Sequence, residues 1–445
     1  MNKMLKKIIV FPLVVFFVSI KISGAEIMTL YDCMEYAISR STKIKIQQTD
    51  ISDKRLEIRD AILTAFTPSI NGNISGSYSF GRSIDPETNT YFNSTSFSNG
   101  YSVSAGIPIF DGFKAVNNIK ISKTGLLISK SQEKQIEADL CLAVIEAFYN
   151  VVYYKNLAKV IKKQVEASEL SLTTAKRQEE LGIKGYADVI EMEAELSDRK
   201  YDLITTENMY KDQILSLEAL IFWPEEEELI IDEELPTAFN EEFDETIVLQ
   251  NAMLHNPAVE IAKWNVENAR HSLNTARWQL LPSINFYTGW STSYYTYTGG
   301  MGTPFRQQFR NNSGEYVQFS MSIPIYNNLT GHSNVSRKKN ALIKAQSELD
   351  QTQRDIESEV KRAIQDRDGA SVAYTQALKK AKVQEEAFTF NQKKLAQGLI
   401  SPLEFQTANN NYLKSKADEM NSLFQYIIKQ AVVKYYSGID YINQF

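Results

Sequence analysis

Residues 101–122, YSVSAGIPIFDGFKAVNNIKIS, decide how this chain is read. Their first half alternates: Tyr101, Val103, Ala105, Ile107 and Ile109 fall on one side, and Ser102, Ser104, Gly106 and Pro108 on the other, the period of a strand. Pro108 and the Asp111-Gly112 pair close it. Helical spacing then takes over and holds to about Leu181. The event repeats: Val317, Phe319, Met321, Ile323 and Ile325 alternate with Gln318, Ser320, Ser322 and Pro324, a turn falls at Asn327-Asn328, and a second long helical run follows. A strand suited to lipid feeds a very long helix, twice.

The two events belong to a duplication. Pro68-Ser69-Ile70 recurs as Pro282-Ser283-Ile284, an offset of 214. Ile107-Pro108-Ile109-Phe110 recurs as Ile323-Pro324-Ile325-Tyr326, and Leu181-Gly182-Ile183 as Gln397-Gly398-Leu399, both offset by 216. Each unit reads helix, strand, loop, strand, long helix, break, shorter helix. The resulting parts are helices at 26–66, two strands within 67–110 and a helical hairpin at 111–222. An acidic connector at 223–245 follows. The second copy has helices at 246–281, strands within 282–326, a hairpin at 327–436 and a tail at 437–445. Within the opening helices, breaks are expected near Arg40-Ser41-Thr42 and at Asn256-Pro257.

The outer strands share the grammar of the first. Ile70, Gly72, Ile74, Gly76, Tyr78 and Phe80 alternate with Ser, Asn and Ser-rich positions; Ile284, Phe286, Thr288, Trp290, Thr292 and Tyr294 do likewise. One face is apolar and aromatic, the other small and hydroxylated. A soluble sandwich would place Lys and Glu on its solvent face, whereas these strand cores are nearly uncharged and collect aromatics at their outer ends, as a membrane barrel does. The polar stretches 82–97 and 296–314 read as long extracellular loops.

The long helices carry apolar residues mostly at steps of three and four, among them Val151, Tyr154, Ala158, Ile161, Val165, Ser168, Leu172 and Ala175 in one and Ile356, Val360, Ala363, Ala370, Tyr374, Ala377 and Ala381 in the other. That spacing lays each helix against a neighbour. Residues 114–180 at about 1.5 Å each give a rod of roughly 100 Å, longer than any globular domain of this size requires. The breaks, LGIKGYA at 181–187 and QGLISPL at 397–403, place Gly182 and Gly398 at helix C-caps and Pro402 in a first turn.

The N-terminus sets the compartment. Lys3, Lys6 and Lys7 precede the apolar run Ile8–Ile20, and Ser23-Gly24-Ala25 offers small residues for cleavage, the pattern of a secretory leader over 1–25. The apolar run falls short of the roughly 20 residues a helical span needs. Without the leader, 44 basic residues face 54 acidic ones, a net charge of −10, which disfavours nucleic acid as a partner. Cys33 and Cys141 read as small core residues, with a disulfide as the alternative in an oxidising compartment. His255, His271 and His332 lack metal-ligand spacing. No phosphate loop or nucleophile elbow occurs, so neither enzyme chemistry nor a cofactor or metal is expected. Asp366, Arg367 and Asp368 read as solvated helix charges, Trp264 and Trp278 as packing residues, and the connector as a solvated segment in which Leu229-Ile230-Ile231 adds a short strand.

Four membrane strands cannot close on themselves, and an open edge in lipid leaves backbone groups unpaired at several kcal/mol each. Single-chain barrels begin at about eight strands. Copies must share a barrel, and three copies with twelve strands leave room for a lumen.

With FTPSI and LLPSI opening the strands, IPIFDGFKA and IPIYNNLTG closing them, and the LGIKGYADV and QGLISPLEF hairpins, the chain resembles the TolC family of outer-membrane efflux proteins across nearly its whole mature length. The resemblance implies a mainly helical protein: a homotrimer whose twelve-stranded β-barrel sits in the outer membrane of a Gram-negative bacterium and continues as a periplasmic α-helical barrel. An equatorial region would form from the connector and C-terminal tail. It implies a passive exit duct of a tripartite efflux or type I secretion system, fed by an inner-membrane efflux pump or ABC exporter through a periplasmic adaptor (membrane fusion) protein. The tips that would meet the adaptor fall on Leu181, Gly182, Ile183, Gln397, Gly398, Leu399 and Ser401, and the acidic periplasmic mouth on Asp188, Glu191 and Glu404. Thr407 stands where some members carry a further acid, and Ile400 where some carry a gating arginine. Asp188 and Glu404 are also favourable as plain helix-start acids. A non-conducting oligomeric stalk or adhesin, or a soluble periplasmic scaffold, are the competing readings. A plugged lumen would mark the first, and release without detergent the second.

Overall fold

A computed structural model describes residues 27–84, 89–224, 227–233, 242–297 and 303–445. The expected leader, the middle of the acidic connector and short stretches of both interstrand loops lie outside the described residues. In chain order the elements are β1 (Ile27–Met28), α1 (Leu30–Arg40), α2 (Thr42–Phe66), β2 (Ser69–Ile84), β3 (Tyr91–Phe110), α3 (Lys114–Glu180), α4 (Tyr186–Ile221) and β4 (Ile230–Ile231). The second half has α5 (Glu245–His255), α6 (Pro257–Trp278), β5 (Ser283–Tyr297), α7 (Phe305–Asn311), β6 (Gly314–Ser322), α8 (Thr330–Ala396) and α9 (Pro402–Tyr436), then a 3₁₀ turn at Tyr441–Asn443. The opening helices break at equivalent places. Ser41 accepts a hydrogen bond from the Ile44 N–H, and Asn256 accepts one from Ala258 beside the first-turn Pro257.

The four long strands form one antiparallel sheet, ordered β2-β3-β5-β6, with both outer strands unpaired on one side. Tyr101 lies opposite both Ile74 and Thr292, so the apolar positions of three strands share a face. Ile70, Ile74 and Phe80 are 71%, 75% and 78% exposed there, an apolar surface that only lipid can cover. The other face carries Ser77 and Ser98, whose hydroxyls meet at 2.8 Å. It also carries tyrosines: Tyr287, on the side that alternation gives it, lies over Gly106 and Tyr316 over Gly289, where an added Cβ would stand 2.9 and 2.7 Å from the rings. Glycine lets those rings lie flat against the sheet.

The strands depart from the sequence reading at three ends. β2 and β3 stay paired out to Ile84 opposite Tyr91 and so occupy most of the stretch read as a loop, because Ser- and Asn-rich backbone pairs as well as any other. β6 stops at Ser322, opposite the first residue of β5, so residues 323–326 have no strand to pair with, and Pro324 has no N–H to offer. β3 passes through Pro108 because a register shift between Pro108 and Phe110 absorbs it. The 296–314 stretch, read as loop, contains α7.

Strand becomes helix by one device in both halves. Gly112 and Phe113 have φ of 65° and 59°, and Asn328 and Leu329 have 54° and 61°. Two consecutive left-handed residues swing the chain from the sheet into α3 and α8. The Asp111 carboxylate accepts the Ala115 N–H at 2.7 Å, while the Asn327 carbonyl accepts the Thr330 N–H at 3.0 Å. Phe113 packs between Phe110 and Trp278, ring centroids 5.3 and 5.2 Å away, so Trp278 is a packing residue as read.

α3 and α8 are each 67 residues long and pair with α4 and α9. Midway along them an equatorial core forms. Val144, Ile145, Phe148 and Val151 of α3 meet Cys33 of α1, Leu217 of α4, Ile427 of α9, Leu229 and Ile231 of the connector, and Tyr441 of the tail. β4 pairs in parallel with β1, so the short strand expected at Leu229-Ile230-Ile231 forms over its last two residues. Glu233 anchors the connector on Lys155 at 3.0 Å and on Lys159. Both cysteines are buried free thiols, and burial pushes each up to about 12, too high for ready thiolate chemistry. Arg367 corrects the reading of a solvated triplet: its side chain is 12% exposed and lies 5.0 Å above the Phe243 ring, while Asp366 bonds Lys429.

Candidate functional site

The far ends of the rods are two matching turns. Gly182 and Gly398 have φ of 73° and 74°. Ile183 N–H donates to the Gln178 carbonyl at 2.8 Å, and Leu399 N–H to that of Lys394 at 3.0 Å, the wrap-around bond of a glycine C-cap. Nothing lies within 4 Å of where a Cβ would stand on either glycine. The turns therefore present Leu181, Ile183 and Leu399 to solvent, 69%, 70% and 67% exposed, with Gln397 and Ser401 also exposed. Beneath them Leu172, Ala175, Val189, Met192, Leu395 and Phe405 pack the two hairpins together. Ile400 joins that core, so it holds the tip in place of any charge. A cavity of about 310 Å³ opens beside it between α3, α4 and α8, with Leu170, Thr174, Gln178, Lys184, Met192 and Gln392 among its walls.

The acids of the expected mouth sit at the starts of the returning helices. Glu404 accepts the Ser401 N–H at 3.2 Å, and Ser401 Oγ accepts the Glu404 N–H at 3.2 Å, a complete capping box. Asp188 accepts the Gly185 N–H at 3.3 Å; glycine has no side chain to return the bond. Glu191 is exposed one turn on. Among the described residues none of the three forms an ion pair. The structure thus gives Asp188 and Glu404 equivalent places and a helix-start duty, and leaves their charge uncompensated within the chain.

One polar cluster escaped the sequence reading. Glu195 and Asn409, buried at 2% and 0% exposure, join α4 to α9 through Asn409 Nδ2–H donating to Glu195 Oε1 at 3.0 Å. Arg199, itself 5% exposed, donates to Asp202 at 2.9 Å and to the Asn410 side chain. Burial raises the Glu195 carboxyl above its ordinary range, with Asn409 and Arg199 partly offsetting it. The sole sequence signal was a spacing of 214 between Glu195 and Asn409, that of the first repeat landmark.

A sheet with a lipid-covered face, a hydroxylated face and two open edges, continued by paired rods with exposed apolar tips, defines a membrane channel with a long extramembrane helical part. The comparisons agree. The chain matches the outer membrane efflux protein family over residues 54–221 and 248–438, and it belongs to that family. It is 22% identical over 315 residues to the outer membrane protein TolC of Vibrio cholerae, covering 68% of this chain and 69% of that one. Among solved structures it resembles VceC of Vibrio cholerae (TM-score 0.74, 11% identity, 91% and 95% of the two chains). It also resembles the Campylobacter jejuni CmeC outer membrane channel (0.73, 15%, 93% and 85%). Family membership places the chain in the outer membrane with its helices in the periplasm.

Proposed function

We propose that this protein is a homotrimeric exit duct that passively conducts substrates across the outer membrane. An inner-membrane efflux pump or ABC exporter would deliver them through a periplasmic adaptor. The observation that carries the reading is the four-stranded sheet itself. Its polar face lines a bore only if neighbouring copies complete the barrel, and its strands run without a domain break into helices that prolong the bore. The stalk reading draws no support from an inner face of serines, asparagines and flat-lying tyrosines, which suits a wetted lumen. Reconstitution into a planar bilayer tests the duct: stable unitary conductance is the expected result, and a silent bilayer containing assembled protein would count against it.

In this reading Asp188, Glu191 and Glu404 ring the periplasmic mouth, where threefold repetition focuses negative charge and favours cations. Asp188→Asn with Glu404→Gln removes two carboxylates per chain while Gln keeps the capping bond open to it. Cation preference, read from reversal potentials in a salt gradient, should fall several-fold; unchanged selectivity would leave these acids as helix caps alone. The exposed tips Leu181, Ile183 and Leu399, with the cavity behind them, support an adaptor contact made by apolar burial. Cysteines replacing Ile183 or Leu399 should crosslink to the adaptor, whereas one replacing Val372, exposed near the middle of α8, should do so less.

A further inference from the structure

α7 lies on the lipid-facing side of the sheet. Phe305 and Phe309, one turn apart, pack on Tyr101 (6.2 and 5.4 Å between centroids), while Tyr294 meets Phe305 at 5.3 Å and Trp290 meets Phe309 at 5.8 Å. Those three sheet residues belong to the apolar face by register. The helix is also bolted to β5 above the last residue that β6 pairs. Gln308 accepts the Tyr295 N–H at 3.0 Å and donates to the Tyr295 carbonyl at 2.8 Å, imitating a neighbouring strand. Asn312 donates to the Ser293 carbonyl at 2.8 Å, and Thr292 Oγ1 donates to the Phe309 carbonyl at 2.6 Å. The edge that β6 leaves bare is thereby satisfied where lipid could not do so.

Height follows from the strand. Thr292 is the tenth residue of β5, so it stands roughly 30 Å along the strand from Ser283 at about 3.3 Å per residue. With the usual tilt of about 40°, that is roughly 23 Å above the periplasmic end, at the top of an apolar band about 25 Å tall. The next turn of chemistry is charged. Arg306 and Arg310, also one helical turn apart, are exposed. Among the described residues neither makes an ion pair, Glu315 included.

We propose that α7 is an outer-leaflet anchor whose Arg306 and Arg310 bind the phosphate groups of a phosphorylated outer-leaflet lipid. Aromatic rings fix the helix at the interface, where Tyr and Trp are at home. The guanidinium groups, held a turn apart on a clamped backbone, reach the headgroup layer and match phosphate oxygens bidentately. The surface is continuous with the lipid-facing band, so the occupant is a lipid and not a soluble anion. The assignment rests on outer-membrane placement and is independent of whether the channel conducts.

The test uses the assembled full-length protein in phosphatidylcholine nanodiscs doped with lipid A, either phosphorylated or enzymatically dephosphorylated, with retained lipid counted by native mass spectrometry. The phosphorylated form should be retained roughly 10- to 30-fold better, an effect of two interfacial arginines. Arg306→Gln with Arg310→Gln should abolish that preference, while Arg306→Lys with Arg310→Lys, which keeps the charge but not the bidentate fork, should keep only part of it; both should leave conductance unchanged. Equal retention of the two lipids by the unaltered protein, or an undiminished preference in the Gln variant, would overturn the proposal. Efficient competition by millimolar inorganic phosphate would overturn the lipid assignment in favour of a soluble-anion site.

Discussion

Gly112, Gly182 and Gly398 all hold left-handed backbone, yet they should respond to the same substitution differently. At Gly182 and Gly398 an added methyl meets nothing, so Gly→Ala carries only the conformational cost of about 1–2 kcal/mol. At Gly112 the new Cβ would also stand 2.4 Å from the Trp278 carbonyl oxygen. Gly112→Ala should therefore lower the thermal midpoint of the assembled protein clearly more than either tip variant, and equal shifts would show the turn to be softer than it looks. Glu195 offers a sign that can be checked. Its carboxyl is raised from 4.5, so the folded chain holds that proton more tightly than the unfolded chain. The associated stability is complete below 4.5 and is lost as pH rises through the raised value. Glu195→Gln should thus gain on the wild type as pH goes from about 4 to neutral, while curves that stay parallel would remove Glu195 from the pH response. The tip glycines were legible in the sequence because LGI and QGL end long helical runs. Glu195 was not, because a glutamate on a helix reads as solvated until a second helix, distant in sequence, covers it.

Elements show what periodicity can and cannot reveal. The 67-residue rods, their breaks and the strand faces all repeat often enough to be read directly. α7 has only two turns and no window in which a period could emerge, so its sequence reads as loop. The pairing of tyrosines with Gly106 and Gly289 is likewise hidden, since cross-strand register decides which glycine a ring meets. On the lower rods, α4 and α9 are held side by side by Glu195, Arg199, Asn409 and Asn410, about two turns from Asp188 and Glu404. Arg199→Ala removes its bonds to Asp202 and Asn410 and the nearby positive charge that partly offsets the burial of Glu195. The two helices should then part more readily, giving a several-fold higher open-channel conductance or open probability in bilayers. An unchanged trace would make the cluster a packing detail with no bearing on the mouth.

At the scale of the molecule, one chain is incomplete. β2 and β6 each leave an edge unpaired, the apolar face needs lipid, and the hydroxylated face needs water. A closed ring of copies meets all three demands, and only the count per ring lay beyond what pairing within a chain can state. Cryo-electron microscopy of the full-length protein in nanodiscs measures it most directly. The account predicts three copies around one continuous bore, with β6 of each hydrogen-bonded to β2 of the next. A map in which the four strands stay within a single copy as a separate sheet, its edges unpaired with any neighbour, would contradict it.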